Sequence, residues 1–231
     1  SYAYGMGFNV NKGSLTLVDC LIADNGMVGG DSNTRNVDGG AIYAVNATSL
    51  FERVRFERNR ASVYNFSYGG CLFISGGRLT MRGCRFTGNN NYGAMGTAHP
   101  FHASGVYYFS NLAALMLSNC LFTSETSGCT EAGGLLYVRG TGASGMEIVD
   151  TVMTNNTVKL SPDAALLNVA AAGGSLTVRR SVLGRSGDVA SGIYKSGTSQ
   201  LIVTNSLVVD QARHGVRVAA GTVHLGSCTI A

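Results

Sequence analysis

An eight-residue phrase recurs eight times along the chain. It reads LTLVDCLI at Leu15–Ile22, SLFERVRF at Ser49–Phe56, LTMRGCRF at Leu79–Phe86 and LMLSNCLF at Leu115–Phe122. The later copies are MEIVDTVM at Met146–Met153, LTVRRSVL at Leu176–Leu183, LIVTNSLV at Leu201–Val208 and VHLGSCTI at Val223–Ile230. In most copies the first, third, sixth and eighth positions are apolar or small, and the fourth and fifth are mostly polar. Two period-2 stretches joined by a bend describe a strand, a corner and a second strand. The third positions lie 22 to 36 residues apart. Self-similarity on that scale belongs to stacked architectures, in which no single unit buries its apolar face alone.

Between phrases stands a small pair followed by a short apolar run. It reads Gly39-Gly40-Ala41-Ile42-Tyr43, Gly69-Gly70-Cys71-Leu72-Phe73 and Gly133-Gly134-Leu135-Leu136-Tyr137, with weaker forms at Ser104, Ala164, Ser191 and His214. Each unit thus offers three short strands with Gly-rich or polar corners. The fold expected is all-β: a right-handed parallel β-helix, a solenoid of about eight rungs with three short strands each. At a strand spacing of about 4.8 Å, eight rungs make a rod roughly 35–40 Å long. Helical solenoids are excluded by the alternation and by the lack of i, i+3, i+4 stripes. Residues 1–231 read as a single domain, and as a piece of a longer chain, because the sequence stops one residue past its last phrase.

Composition narrows the partners. Gly is 32 residues against 2 of Pro, so Gly supplies corners rather than a disordered linker. Charged residues are 13%, about half the usual share. The net charge of +4 is too small to imply nucleic-acid binding. No apolar run approaches the roughly 18 residues of a membrane span.

The pairing of GGA[IL] with FxxN resembles the repeat of the polymorphic outer-membrane proteins, the family of chlamydial autotransporter passengers and of some eukaryotic surface proteins. Here it reads GGAI at Gly39–Ile42 with FERN at Phe56–Asn59, then GGCL at Gly69–Leu72 with FTGN at Phe86–Asn89. Degenerate forms are IADN at Ile22–Asn25 and MTNN at Met153–Asn156, while Glu125, Ser186 and Gln211 stand where Asn is expected. The resemblance implies a β-helix of the pectate-lyase-like type, displayed at a cell surface and used in adhesion.

Stacking turns sequence columns into ladders. Asn25, Asn59 and Asn89 end successive phrases and are expected to stack at one corner, where their amides satisfy backbone groups left unpaired by the bend. Cys20, Cys84, Cys120 and Cys228 share the sixth position with Val54, Thr151, Ser181 and Ser206. Core packing is the default for a small residue there. Of the four, only Cys84 and Cys120 fall in neighbouring rungs, where the strand spacing permits a disulfide. No partner is assigned to Cys71 or Cys129. Three N-glycosylation sequons begin at Asn46, Asn65 and Asn155.

Seven arginines (Arg53, Arg55, Arg58, Arg60, Arg78, Arg82 and Arg85) lie in a stretch of 33 residues. Glu52 and Arg82 share the fourth-position column and neutralise each other. Arg55 and Arg85 stack like on like at the outward seventh position, which is unfavourable unless an anion intervenes. Arg53, Arg55 and Arg85 are therefore candidates for binding an acidic glycan. Leu21, Leu121, Val152, Val182 and Leu207 hold the same outward column elsewhere, an apolar stripe suited to cover by another chain. The segment Asn90–Ala103 carries Tyr92, His99, Phe101 and His102, further binding candidates on a long connection. No third ligand accompanies His99 and His102, so no metal is expected. No cofactor is expected either.

Polysaccharide hydrolysis needs paired carboxylates, and the eight aspartates are scattered over different columns. A lyase would need a calcium cage of several carboxylates, and ice binding an unbroken outward Thr array; neither is present in the sequence. The expectation is a non-catalytic extracellular or cell-surface protein, a unit of a fibre, coat or adhesin. Its expected partners are other copies or other surface proteins, with acidic glycans as the alternative.

Overall fold

The computed structural model describes residues 2–28, 36–62, 66–92, 101–111, 114–128, 132–141, 145–159, 163–188 and 190–231. These residues form strands, turns and bends only, and the strands pair in parallel in four sheets of 13, 8, 6 and 3 strands. A strand's neighbour is generally its counterpart one repeat away. Leu79 sits between Ser49 and Leu115, and Phe86 between Phe56 and Phe122. The phrase therefore sets the register directly.

The 13-stranded sheet takes the apolar run and the first half of the phrase. In the first three repeats the two merge into 11-residue strands, Phe8–Val18, Ile42–Glu52 and Leu72–Arg82. From Leu115 onward they separate, as in Ala165–Ala172 followed by Ser175–Arg179. The second half of the phrase gives the eight-stranded sheet of short strands, among them Arg55–Glu57, Arg85–Thr87 and Leu121–Thr123. The six-stranded sheet follows, with Gly26–Val28, Arg60–Ser62, Asn90–Tyr92, Thr126–Gly128, Asn156–Lys159 and Ser186–Asp188. A three-stranded sheet joins Tyr2–Tyr4, Asn36–Asp38 and Phe66–Tyr68.

These last two sheets amend the strand count expected from sequence. The long connection Asn90–Ala103 begins and ends in paired strands, and so does the segment Gly26–Asp38. Three-residue strands such as Arg-Ala-Ser carry no period of their own; neighbouring repeats supply their hydrogen bonds.

Corners fall in columns of left-handed backbone. Asp19, Arg53, Gly83, Asn119, Asp150, Arg180, Asn205 and Ser227 hold the fifth position with φ between 48° and 62°. Asp24, Arg58, Gly88, Ser124, Asn155, Arg185 and Asp210 hold the second corner. Asn and Asp tolerate this geometry, whereas β-branched residues do not, and none stands in either column. Lys12, Asn46 and Gly76 kink the three long strands at one shared position.

The core lies between the sheets, along inward columns. Phe56 and Phe86 stack at 4.7 Å, and Phe86 and Phe122 at 4.5 Å, all three fully buried. Beside them the sixth-position column is a hydrogen-bond ladder as well as packing. Thr151, Ser181 and Ser206 each donate to the carbonyl two residues back, at 2.8–3.0 Å. Cys20, Cys84, Cys120 and Cys228 aim their thiols at the same carbonyl. Small donors recur there because the bend leaves that carbonyl a free lone pair.

Candidate functional site

The Asn ladder runs further than its sequence signal. Asn59 Oδ1 accepts from Asn25 N at 3.1 Å, and Asn89 Oδ1 from Asn59 N at 2.9 Å. Glu125 Oε1 takes the next place, accepting from Asn89 N and Nδ2, both at 2.9 Å. Asn156 Oδ1 then accepts from Glu125 N at 3.0 Å. The amides beyond Asn25 also donate to the eighth-position carbonyl one repeat back. Asn59 Nδ2 reaches Ile22 O, Asn89 Nδ2 reaches Phe56 O, Asn156 Nδ2 reaches Phe122 O and Gln211 Nε2 reaches Leu183 O. By that rule Glu125 faces Phe86 O, and its Oε2 is buried without a hydrogen-bond partner. Burial pushes its carboxyl up to about 8 despite the hydrogen bonds from Asn89. A carboxyl raised that far is mainly protonated at neutral pH, and an acid proton is the kind of donor that an amide supplies elsewhere in the ladder.

The arginines form a belt rather than one patch. Arg78 and Arg82 lie on the 13-stranded sheet, Arg55 and Arg85 on the eight-stranded sheet and Arg60 on the six-stranded sheet, with Arg53 and Arg58 at the corners between. Neighbouring repeats bring acids to several of them. Asp19 takes Arg53 through two bonds of 2.6 and 2.8 Å, and Asp24 takes Arg58 through two of 2.8 and 2.6 Å. These arginine hydrogen bonds hold both carboxyls below the usual carboxylate range. Arg82 meets Glu52 at 3.2 Å. Asp150 and Arg180 repeat the two-bond corner pair at 2.8 Å.

Arg55 and Arg85 are in direct register and both are exposed. Arg55 lies 3.8 Å from Glu57, which also meets Arg58 at 3.3 Å. Among the described residues Arg85 has no carboxylate within ion-pair distance. The pair thus presents two adjacent guanidinium groups to solvent, with one shared acid at the edge. That arrangement fits a sulfate, phosphate or carboxylate ligand.

A second cluster carries no sequence signal. Tyr43 and Phe73 are in register and stack at 5.1 Å with planes 7° apart, and Tyr68 lies 6.1 Å from Phe73. Asp38 is paired in register with Tyr68, its Oδ1 is buried without a hydrogen-bond partner, and burial pushes its carboxyl up to about 7. Sequence reading passed over it because a lone aspartate ending a long connection looks like solvated surface.

Of the other predicted residues, His99 and Asn65 lie outside the described residues. Tyr92, Phe101 and His102 belong to strands Asn90–Tyr92 and Phe101–Asn111. Asn46 and Asn155 are exposed, each at a left-handed corner. Asn155 borders an open groove of about 570 Å³ lined also by Arg185 and Asp210. The described residues contain no cluster of three or more His, Cys, Asp or Glu able to hold a metal. Among the described residues no helix is long and apolar enough to cross a membrane. Comparison of the chain with protein-family models, with curated proteins and with solved structures returns no match.

Proposed function

We propose that the chain is a right-handed parallel β-helix of about eight rungs, acting as a non-catalytic extracellular unit of a cell-surface fibre, coat or adhesin. The observation that carries this reading is the agreement of independent columns over consecutive repeats. Parallel pairing, the Phe56–Phe86–Phe122 stack, the amide ladder and the left-handed corners all advance by one repeat together. Such a stack is stiff along its axis, because bending it strains every column at once. The likeness of GGAI/FERN and GGCL/FTGN to the polymorphic outer-membrane-protein repeat supports display at a surface. An antibody raised against the folded protein should label intact source cells. Labelling only after permeabilisation overturns the reading.

A second reading is favoured by the Arg55–Arg85 stack, in which Glu57 meets, of the two, Arg55 alone and Arg85 has no acid within reach among the described residues: an acidic-glycan-binding module. Arg55→Glu with Arg85→Glu should abolish retention on a column of sulfated or uronic-acid glycan. Unchanged retention removes this reading and leaves the structural one standing.

A further inference from the structure

Cys84 and Cys120 stack in adjacent repeats beside the Phe86–Phe122 contact. The flanking register is Arg85 on Leu121, and Leu121 N donates to Cys84 O at 2.9 Å. Both side chains point into the core, at 0% and 2% exposure. Interaction between the two thiols lowers the pKa of Cys84, and the same interaction together with burial raises that of Cys120. The remaining described cysteines lack such a neighbour in the column. Cys20 is followed by Val54, and Cys228 is preceded by Ser206. Cys71 lies on a different column, next to Asn59 and near Glu125.

We propose that Cys84 and Cys120 are a built disulfide site, oxidised while the chain folds and sealed once the repeats close over it. The oxidant is a small-molecule disulfide such as oxidised glutathione. Before the repeats close, both thiols are open to solvent and either can start the exchange, here Cys84. Its thiolate attacks one sulfur of the oxidant and expels one thiolate, forming a mixed disulfide. Cys120 then attacks the Cys84 sulfur and expels the second thiol. One disulfide is consumed and one formed, and the two thiol protons end on the two released small thiols. Neither sulfur is accessible in the folded protein, so the exchange happens before folding closes the core, and the product then resists reductant.

The effect of this staple in the cell rests on the extracellular reading, because an oxidising compartment must supply the oxidant. The test in solution does not. The reduced, denatured protein is refolded in a glutathione redox buffer, and a second sample is refolded under reductant and then given the same buffer. Both are alkylated, digested and read by mass spectrometry. The first should yield the Cys84 and Cys120 peptides linked and two hydrogens lighter than the reduced pair. The second should yield both thiols free, alkylated only after denaturation. Free thiols in the first sample, or Cys84 joined to any other cysteine, overturn the site. A linked pair in the second overturns the sealing. If the chain does not refold from denaturant, protein exported to a bacterial periplasm and protein made in the cytoplasm supply the same two arms. Cys84→Ser is a folding-competent control, since serine already holds this column at Ser181 and Ser206.

Discussion

At the scale of single residues the fold rests on groups that finish a neighbour's hydrogen bonds. Glu125 is the sharpest instance. Unfolded it titrates near 4.5 and folded near 8, so between those values the folded chain holds the extra proton. Stability therefore falls as pH rises through that window and levels above it. Asp38, moved from 3.8 to about 7, adds a loss of the same sign at lower pH. The groups packed around Glu125 are Asn89, Asn156 and the Cys71 thiol, which burial and the Glu125 charge push up. Glu125→Gln should keep the ladder and, in urea titrations run across pH, remove the Glu125 share of the loss, leaving only the Asp38 share that ends near pH 7. A variant as pH-sensitive as the parent contradicts this assignment. Asn89→Ala, which leaves buried backbone groups unpaired, should cost about 1–3 kcal/mol by the same titration. The ladder was legible at Asn25, Asn59 and Asn89 because one residue type repeats. Its passage through Glu125 was hidden, since a glutamate in sequence reads as solvent-facing until burial neutralises it.

At the scale of elements the corners decide what the strands tolerate. A Cβ on Gly69, at φ +68°, would sit 2.0 Å from Leu72 O, and the same substitution at Gly39 would meet Ile42 O at 2.0 Å. Gly69→Ala should therefore destabilise by more than about 1 kcal/mol in thermal unfolding. Gly83 is left-handed too, but a Cβ there meets only Arg53 Cγ at 3.4 Å, and Asn119 and Asn205 hold its column. Gly83→Asn should leave the midpoint almost unchanged; equal losses at Gly69 and Gly83 would contradict the corner assignment. The phrase exposed the strands on both sides of this corner through their alternation. The strands Arg60–Ser62 and Thr126–Gly128 stayed invisible, because the second corner and the adjacent repeats impose their pairing. Arg53, Arg58 and Arg180 at the corners are answered by aspartates one repeat away, a match that only register can reveal.

At the scale of the whole molecule, each repeat is stabilised mainly by its neighbours, so damage in the middle should spread to both sides. Phe86 stacks on Phe56 and Phe122, and Phe86→Ala should cost about 3–5 kcal/mol. Hydrogen exchange should quicken in the strands around all three residues; a loss confined to Arg85–Thr87 would contradict the stacked account. The arginine cluster shows how scale changes meaning. As a sequence run it looks like one basic patch, yet folding spreads it around the circumference and leaves Arg55 and Arg85 as the adjacent pair. The apolar outward column through Leu121, Val152, Val182 and Leu207 lies on the eight-stranded sheet, half exposed, and is the surface that the proposed assembly would use. The central claim is that the chain is a unit of a surface fibre, coat or adhesin, and negative-stain imaging of native full-length material at rising concentration tests its assembling form, the fibre or coat, most directly. Regular filaments or lattices are the predicted result, whereas isolated short particles at every concentration would contradict it.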